Sequence, residues 1–252
     1  LKDWDIQINY GIKTGFNEAF IIDGKKKEEL IALDPKSAEI IRPILRGRDI
    51  KRYGYEFADL WLINTHNGIK DKSIRPIDIN DYPAIKKHLD QFYQELEKRT
   101  DKGDTPYNLR NCAYMEDFSK QKIIWIELVD KGRFAFDYDD GYITLNGTFI
   151  MIGSDLEYIC SILNNPLTSW HFNTFCISSG VGTNQWRELY VKELFIPRPT
   201  EMIRKSIVSA FQDILFLEKQ KQNFLEKQNE LNHLIYKLLE LNEEEIRFIE
   251  SQ

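Results

Sequence analysis

Cysteine is scarce: Cys112, Cys160 and Cys176 are the three thiols in 252 residues, far apart and without CxxC or Cys/His spacing. That excludes a disulfide framework and a thiolate zinc site, and it fits buried thiols in a reducing cytoplasm. Long apolar runs are absent as well. No uninterrupted stretch approaches the roughly 20 residues that cross a bilayer, and the opening "LKDWDIQINY" lacks a signal-peptide core. A soluble, cytoplasmic protein with no membrane partner is expected. Positive charge is in deficit, with 34 Lys and Arg against 40 Asp and Glu and a net charge of -6. Such a balance argues against a surface that coats nucleic acid on every side, yet it permits a local basic cleft.

Motifs of catalysis are also missing. "GVGTNQ" is the nearest approach to a phosphate loop, but it has neither GxGxxG spacing nor the Lys of GxxxxGKT. An amino-methyltransferase needs an Asn/Asp-Pro-Pro-aromatic loop, and "NNPL" at Asn164–Leu167 is not one. His66, His88, His171 and His233 stand alone, outside HxxxH or HExxH spacing. Asp137, Asp139 and Asp140 could hold a divalent metal, although a hairpin turn also favours Asp there.

What is present is a folding composition, 42% hydrophobic and 29% charged, in a chain long enough for one large domain or two modest ones. "WDIQINYGIKTGFNEAFIID" reads as strand, polar loop, strand. "DPKSAEIIRPIL" suggests a short helix capped by Asp34 and ended by Pro43. "EFADLWLIN" and "KIIWIEL" have strand length and composition. "RFAFDYDDGYITLNGTFIMIG" predicts a hairpin turning at Asp139-Asp140-Gly141 and a second turn at Asn146-Gly147. "PAIKKHLDQFYQELEKRT" carries Ile85, Leu89, Phe92 and Leu96 at helical spacing. "DLEYICSILNNP" and "LTSWHFNTF" predict two more helices, and "CISSGVGTNQWRELYVKELFIPRP" a polar loop leading to a strand ended by Pro197. From Thr200 an amphipathic pattern without Gly or Pro predicts one long helix or a helical hairpin, followed by a short helix capped by Asn242 with Glu245. The fold class is α+β: a sheet-rich mixed domain over residues 1–199 and a helical spacer or docking arm over 200–252. The abrupt start on Leu, with strand alternation under way, suggests a piece of a longer polypeptide.

Binding chemistry is better represented than catalysis. Duplex DNA is gripped by Lys and Arg on phosphates and read by Arg, Lys, Asn and Gln on base edges. Such side chains collect in the polar segments: Lys13, Thr14 and Asn17; Arg46, Arg48, Lys51 and Arg52 in "LRGRDIKRY"; Arg110 in "YNLRNCAY"; Lys131 and Arg133 in "DKGRF"; Asn184, Gln185 and Arg187 in "GTNQWR". On an extended segment Arg46 and Arg48 project from one side and Asp49 from the other, where it would anchor the loop. Each residue alone also suits a turn or a solvated charge.

In order, "GIKTGFNEAFII", "IIRPILRGRDIKRY", "KIIWIEL", "LNGTFIMIG", "YICSILNNPLTSWHF" and "ELFIPRP" resemble the TaqI-like C-terminal specificity domain. This is the target recognition domain of bacterial adenine-specific DNA methyltransferases and Type IIG restriction-modification enzymes. The resemblance spans residues 5 to 199, and the helices beyond it are similar to those following recognition domains in Type I specificity subunits. It implies that Thr14, Gly15, Asn17, Arg46, Gly47, Arg48, Asp49, Lys51 and Arg52 belong to the shared scaffold and DNA-facing surface. It also implies that methyl transfer, with S-adenosylmethionine, resides in a catalytic region absent from this chain. The expectation is therefore a non-catalytic module that binds double-stranded DNA and places a target adenine for a methyltransferase domain of its parent. Two rivals stand beside it: an interaction module that assembles or self-associates through its C-terminal helices, and a nuclease with a dispersed metal site at Asp137 and Asp139.

Overall fold

The computed structural model describes residues 1–138, 140–178 and 182–252. The first half runs β1 (Ile6–Tyr10), α1 (Asn17–Phe20), β2 (Ile21–Asp23), α2 (Gly24–Leu33), β3 (Ile41–Leu45), β4 (Leu60–Ile63), α3 (Pro83–Asp90) and α4 (Tyr93–Lys98). Then come β5 (Lys122–Ile126), β6 (Leu128–Val129), β7 (Phe134–Asp137), β8 (Ile143–Thr144), β9 (Thr148–Gly153), α5 (Leu156–Leu163), α6 (Pro166–Asn173), β10 (Asn184–Gln185) and α7 (Glu188–Val191). The chain closes with α8 (Glu201–Lys219), α9 (Leu225–Leu238) and α10 (Glu243–Glu250).

Two four-stranded sheets form the frame. The first, β1-β9-β5-β7, is antiparallel throughout; the second, β2-β4-β3-β8, is antiparallel except for the parallel β3–β8 pair. A small ribbon joins β6 to β10. Alternation along β5 explains why "KIIWI" is continuously apolar. Ile123 and Trp125 join a core with α5, α6, α8 and α9, whereas Ile124 joins a second core with Ile44, Leu45, Leu62 and Ile63 of the other sheet. A strand covered on both faces has no polar side to present.

Several elements depart from the sequence reading. Asp34 does cap, accepting from Lys36 N at 3.2 Å, but the turn it starts is a 3-10 helix over Pro35–Glu39, and "IRPIL" continues as β3. Pro43 sits in β3 without harm because β8 pairs only with Ile44 and Leu45, so its missing N–H has no ladder partner to disappoint. β7 and β8 do not form the expected hairpin: β7 pairs with β5 and β8 with β3. The turn expected there rests partly on Asp139, outside the described residues. The helix expected from Pro83 breaks at Gln91-Phe92 into α3 and α4. "ELFIPRP" is not a strand. Leu194 and Ile196 are buried, with their carbonyls taken by the Leu1 amine and by Trp4 Nε1 at 3.3 Å.

The C-terminal pattern resolves into a helical hairpin, α8 and α9, followed by α10. The Asn242–Glu245 capping box forms in both directions, at 2.8 and 3.0 Å. The apolar stripe of the hairpin is occupied within the chain: Ile207, Phe211, Ile214, Leu231 and Ile235 share the core of the first sheet. Phe211 meets Tyr53 and Phe136 edge-on, with ring centroids 6.0 and 5.6 Å apart. The helices therefore hold the sheet as well as following it. Phe211→Ala is expected to destabilise the whole chain by about 3–5 kcal/mol in a single denaturant transition. A separate early transition of the helices, with the rest unchanged, would show an independent arm.

Candidate nucleic-acid interface

Strand directions gather the cationic segments at one end of the frame. β1 and β5 both run antiparallel to β9, so Tyr10 and Ile126 finish beside Thr148, where β9 begins. β3 and β8 run parallel and finish together at Leu45 and Thr144. Four strand ends thus meet around Leu145–Thr148. Gly11 N donates to Thr148 O at 2.9 Å, Ile12 N to Thr144 O at 2.7 Å, Asn146 N to Ile12 O at 2.8 Å, and Glu127 N to Gly147 O at 2.9 Å. The approach at Gly11 is so close that a Cβ there would lie 2.0 Å from Leu145 O. Only glycine fits.

The loop leaving this crossing carries Lys13, Thr14 and Asn17. Lys13 is exposed and pairs with Asp101 at 2.7 Å, and Arg110 reaches the same carboxylate at 3.4 Å. The Lys13 hydrogen bond, with the charges of Lys13 and Arg110, holds the Asp101 carboxyl below its ordinary range. Thr14 corrects the sequence reading, because its side chain is buried: its hydroxyl donates to Asn17 Oδ1 at 2.6 Å and accepts from Phe16 N at 3.3 Å. It shapes the loop. Beneath it lies Arg99, unremarked in the sequence reading. This buried guanidinium donates to the carbonyls of Thr14, Asp101, Pro106 and Asn108 and lies 4.5 Å over the Phe20 ring. Burial pushes its pKa down to about 10. Its signal was legible, for Arg99 continues the helical spacing of Leu89, Phe92 and Leu96.

"LRGRDIKRY" also differs from its reading. Gly47–Asp49 is a 3-10 turn rather than an extended segment, and Asp49 faces Arg46 instead of opposing it. The carboxylate accepts from Arg46 Nε at 3.0 Å, Nη2 at 2.8 Å and the backbone N at 2.8 Å. Burial raises the Asp49 pKa, but these bonds and the nearby cations outweigh it and leave the carboxyl low. Arg48 is exposed and has no hydrogen-bond or ion-pair partner among the described residues. The turn abuts the end of β5, with Ile126 Cγ2 3.6 Å from the place of a Gly47 Cβ. Lys51 and Arg52 are not part of that turn. Lys51 pairs with Glu56 at 3.4 Å, and Arg52 is half-buried, donating to Asn164 O and lying 5.4 Å over the Tyr53 ring.

The remaining candidates meet on the β6–β10 ribbon. Its anchor is Trp186, fully buried and stacked on Phe172 at 3.7 Å, with its carbonyl accepting from Trp125 Nε1 at 2.7 Å. Asn184 is engaged, donating to Asp130 O at 3.1 Å and Asn173 Oδ1 at 2.7 Å. Arg187 is exposed and held through Nε by Glu127 Oε1 at 2.8 Å; Glu127 Oε2 accepts from Tyr10 OH at 3.0 Å, and Tyr10 in turn accepts from Gly147 N at 2.7 Å. Glu127 thus ties the ribbon to the crossing. Lys131 donates to Gln252 O at 2.9 Å, and Arg133 lies 3.5 Å from Asp130. Residues 180 and 181 of "GVGTNQ" lie outside the described residues.

No catalytic arrangement accompanies this edge among the described residues. Asp137 is fully buried against Lys122 and accepts from Tyr55 OH at 3.1 Å, so its carboxylate is occupied. No group of three His, Cys, Asp or Glu among the described residues could hold a metal ion. In "NNPL", Asn165 caps α6 by accepting from Leu167 N at 3.0 Å and also donates to Asn232 at 3.1 Å, so both ends of its buried amide are engaged within the fold. No helix among the described residues is long and apolar enough to cross a membrane.

Comparison with known proteins gives the fold a relative. The model of the TaqI-like C-terminal specificity domain matches residues 42–196, which include the Gly47–Asp49 turn and the ribbon. A solved structure of the Type IIL restriction-modification enzyme MmeI in complex with DNA is similar, with a TM-score of 0.70 and 14% identity, over 94% of this chain and 33% of that one. The likeness is one of fold, and the chain spans about a third of that enzyme.

The crossing makes its own prediction. Gly11→Ala forces the backbone at Leu145 to shift and is expected to lower stability by about 3 kcal/mol. Gly147→Ala, at φ +88° with open space around it, should cost only about 1 kcal/mol. Denaturant unfolding of the two variants checks the order; equal losses would remove the close approach as the constraint.

Proposed function

Because the chain belongs to the TaqI-like C-terminal specificity domain family, we propose that it recognises a short sequence in duplex DNA through the edge built around Leu145–Thr148. The observation that carries the reading is the convergence itself: Lys13, Arg46, Arg48, Arg110 and Arg187 come from separate parts of the sequence and sit on segments tied to one backbone crossing. A protein of net charge -6 that concentrates cations at one edge directs a polyanion there and repels it elsewhere. Asp49, Asp101 and Glu127 each take part of a cation's hydrogen-bonding capacity and fix its direction. The other donors remain for phosphate oxygens.

In this reading the domain positions a target adenine for N6-methylation, and for cleavage where the parent protein also cuts. S-adenosylmethionine would bind a catalytic region outside this chain, which supplies the methyl group. The described residues here offer no fitting loop for the target amine, as the capping role of Asn165 illustrates. Thr14 and Arg99 shape the first loop from beneath, and Arg52 serves the contact with α5. The helices α8 and α9 brace the first sheet, and α10 packs on α6. Self-association through them is the alternative, favoured by the exposure of Met202, Phe216 and Phe248.

Binding of the chain to a randomised duplex pool across a salt series tests this. A log-log slope of about -0.9 per neutralised phosphate is expected. Charge reversal at Arg48 or Arg187 should weaken binding to all sequences and reduce the slope by about one unit for each phosphate no longer neutralised. No salt-sensitive binding, with concentration-dependent sedimentation instead, would favour the self-association reading.

A further inference from the structure

The ribbon has two faces of different character. Cross-strand pairing sets Val129 opposite Asn184 and Leu128 opposite Gln185. A third segment extends the rows: Ser178 bridges to Asn184, and Gln185 N donates to Ile177 O at 3.2 Å, which places Ile177 across from Gln185. Directly opposed residues share a face and successive residues alternate. One row, Val129–Asn184–Ser178, includes a buried Val129 and an Asn184 amide engaged with the protein. The other row is Leu128–Gln185–Ile177. Leu128 is 52% exposed and Ile177 54%, and the Gln185 side chain has no hydrogen-bond partner among the described residues. Two open aliphatic side chains thus flank an unengaged amide.

We infer that this row reads A·T base pairs in the major groove, an assignment that rests on the duplex-DNA reading above. A two-stranded β-ribbon fits the major groove, which is about 12 Å wide. Three strands at about 4.8 Å spacing set the row's ends roughly 10 Å apart. Gln presents a donor and an acceptor matching adenine N7 and N6, while aliphatic carbon matches the C5 methyl of thymine. Charge supports the same occupant: Lys131 and Arg133 follow β6, and Arg187 follows β10. Glu127 holds Arg187 through Nε and Asp130 lies 3.5 Å from Arg133, which leaves further donors of both guanidinium groups for phosphates. Asn184, which the sequence suggested as a reader, faces the other way and holds the ribbon's shape. Leu128 and Ile177, which carry no charge and drew no notice in the sequence, are readers instead.

Selection from the randomised pool should return a motif containing at least one A·T pair that Gln185→Ala relaxes, with discrimination at that position falling about tenfold and the salt slope kept. Replacing the thymines of that motif by deoxyuridine should weaken the wild-type protein about fourfold per methyl touched. The paired variant Leu128→Ala, Ile177→Ala should be insensitive to the replacement. A wild-type motif left unchanged by all these variants overturns the row as a reader while leaving duplex binding intact. Failure of the wild-type chain to bind any duplex at low salt overturns both readings. Loss of self-association in the Leu128 and Ile177 variants, with the motif unchanged, would make the row a protein contact and likewise overturn the inference.

Discussion

The backbone crossing at Gly11 and Leu145–Thr148 is the constraint on which the cationic edge depends. There the ends of β1, β3, β5 and β8 meet the start of β9, and main-chain hydrogen bonds fix their relative height. A Cβ at Gly11 would overlap a carbonyl oxygen, so the first loop lies against the crossing with no side chain between. Side chains then transmit the geometry outward. Tyr10 and Glu127 carry it to Arg187, and Arg99 clamps the first loop onto the segment bearing Asp101 and Arg110.

Charge is arranged by pairing rather than by excess. Asp49, Asp101 and Glu127 lie at the very edge where a polyanion would be repelled by unpaired carboxylates. Each orients a cation through one side of its donor set, as in the two-pronged Arg46–Asp49 contact. A guanidinium held in this way loses less rotamer freedom when it meets a phosphate, which favours binding without adding net charge. In the duplex-DNA reading proposed above, the acidic remainder would serve orientation, since the approach of a polyanion to any other face is disfavoured.

Much of the fold was legible because local patterning and tertiary context agree. "KIIWI" reads as a strand covered on both faces and is one; the Asn242 capping box closes as its spacing indicates. The departures share a physical cause. "IRPIL" has a helix-ending Pro and helix-like spacing, but pairing with β4 and β8 takes it into a sheet. β7 and β8 look like a hairpin, yet each finds its partner far away in sequence, which no turn signal can report. At the edge, residue types name the cations but say nothing of their surroundings. Thr14 is buried, Arg52 serves the packing of α5, and Asn184 and Gln185 are neighbours in sequence on opposite faces of one ribbon. Arg99 continues the helical spacing of Leu96, and its burial follows from the carbonyls that it collects, which lie far apart in sequence.

Amide hydrogen exchange of the chain, alone and with a saturating duplex carrying its selected motif, tests the central claim most directly. Exchange is expected to slow in residues 12–17, 46–49, 126–133 and 184–187, with α2 and the outer turns of α8 unchanged. Protection centred on α8–α10 with those four segments unaffected would contradict it.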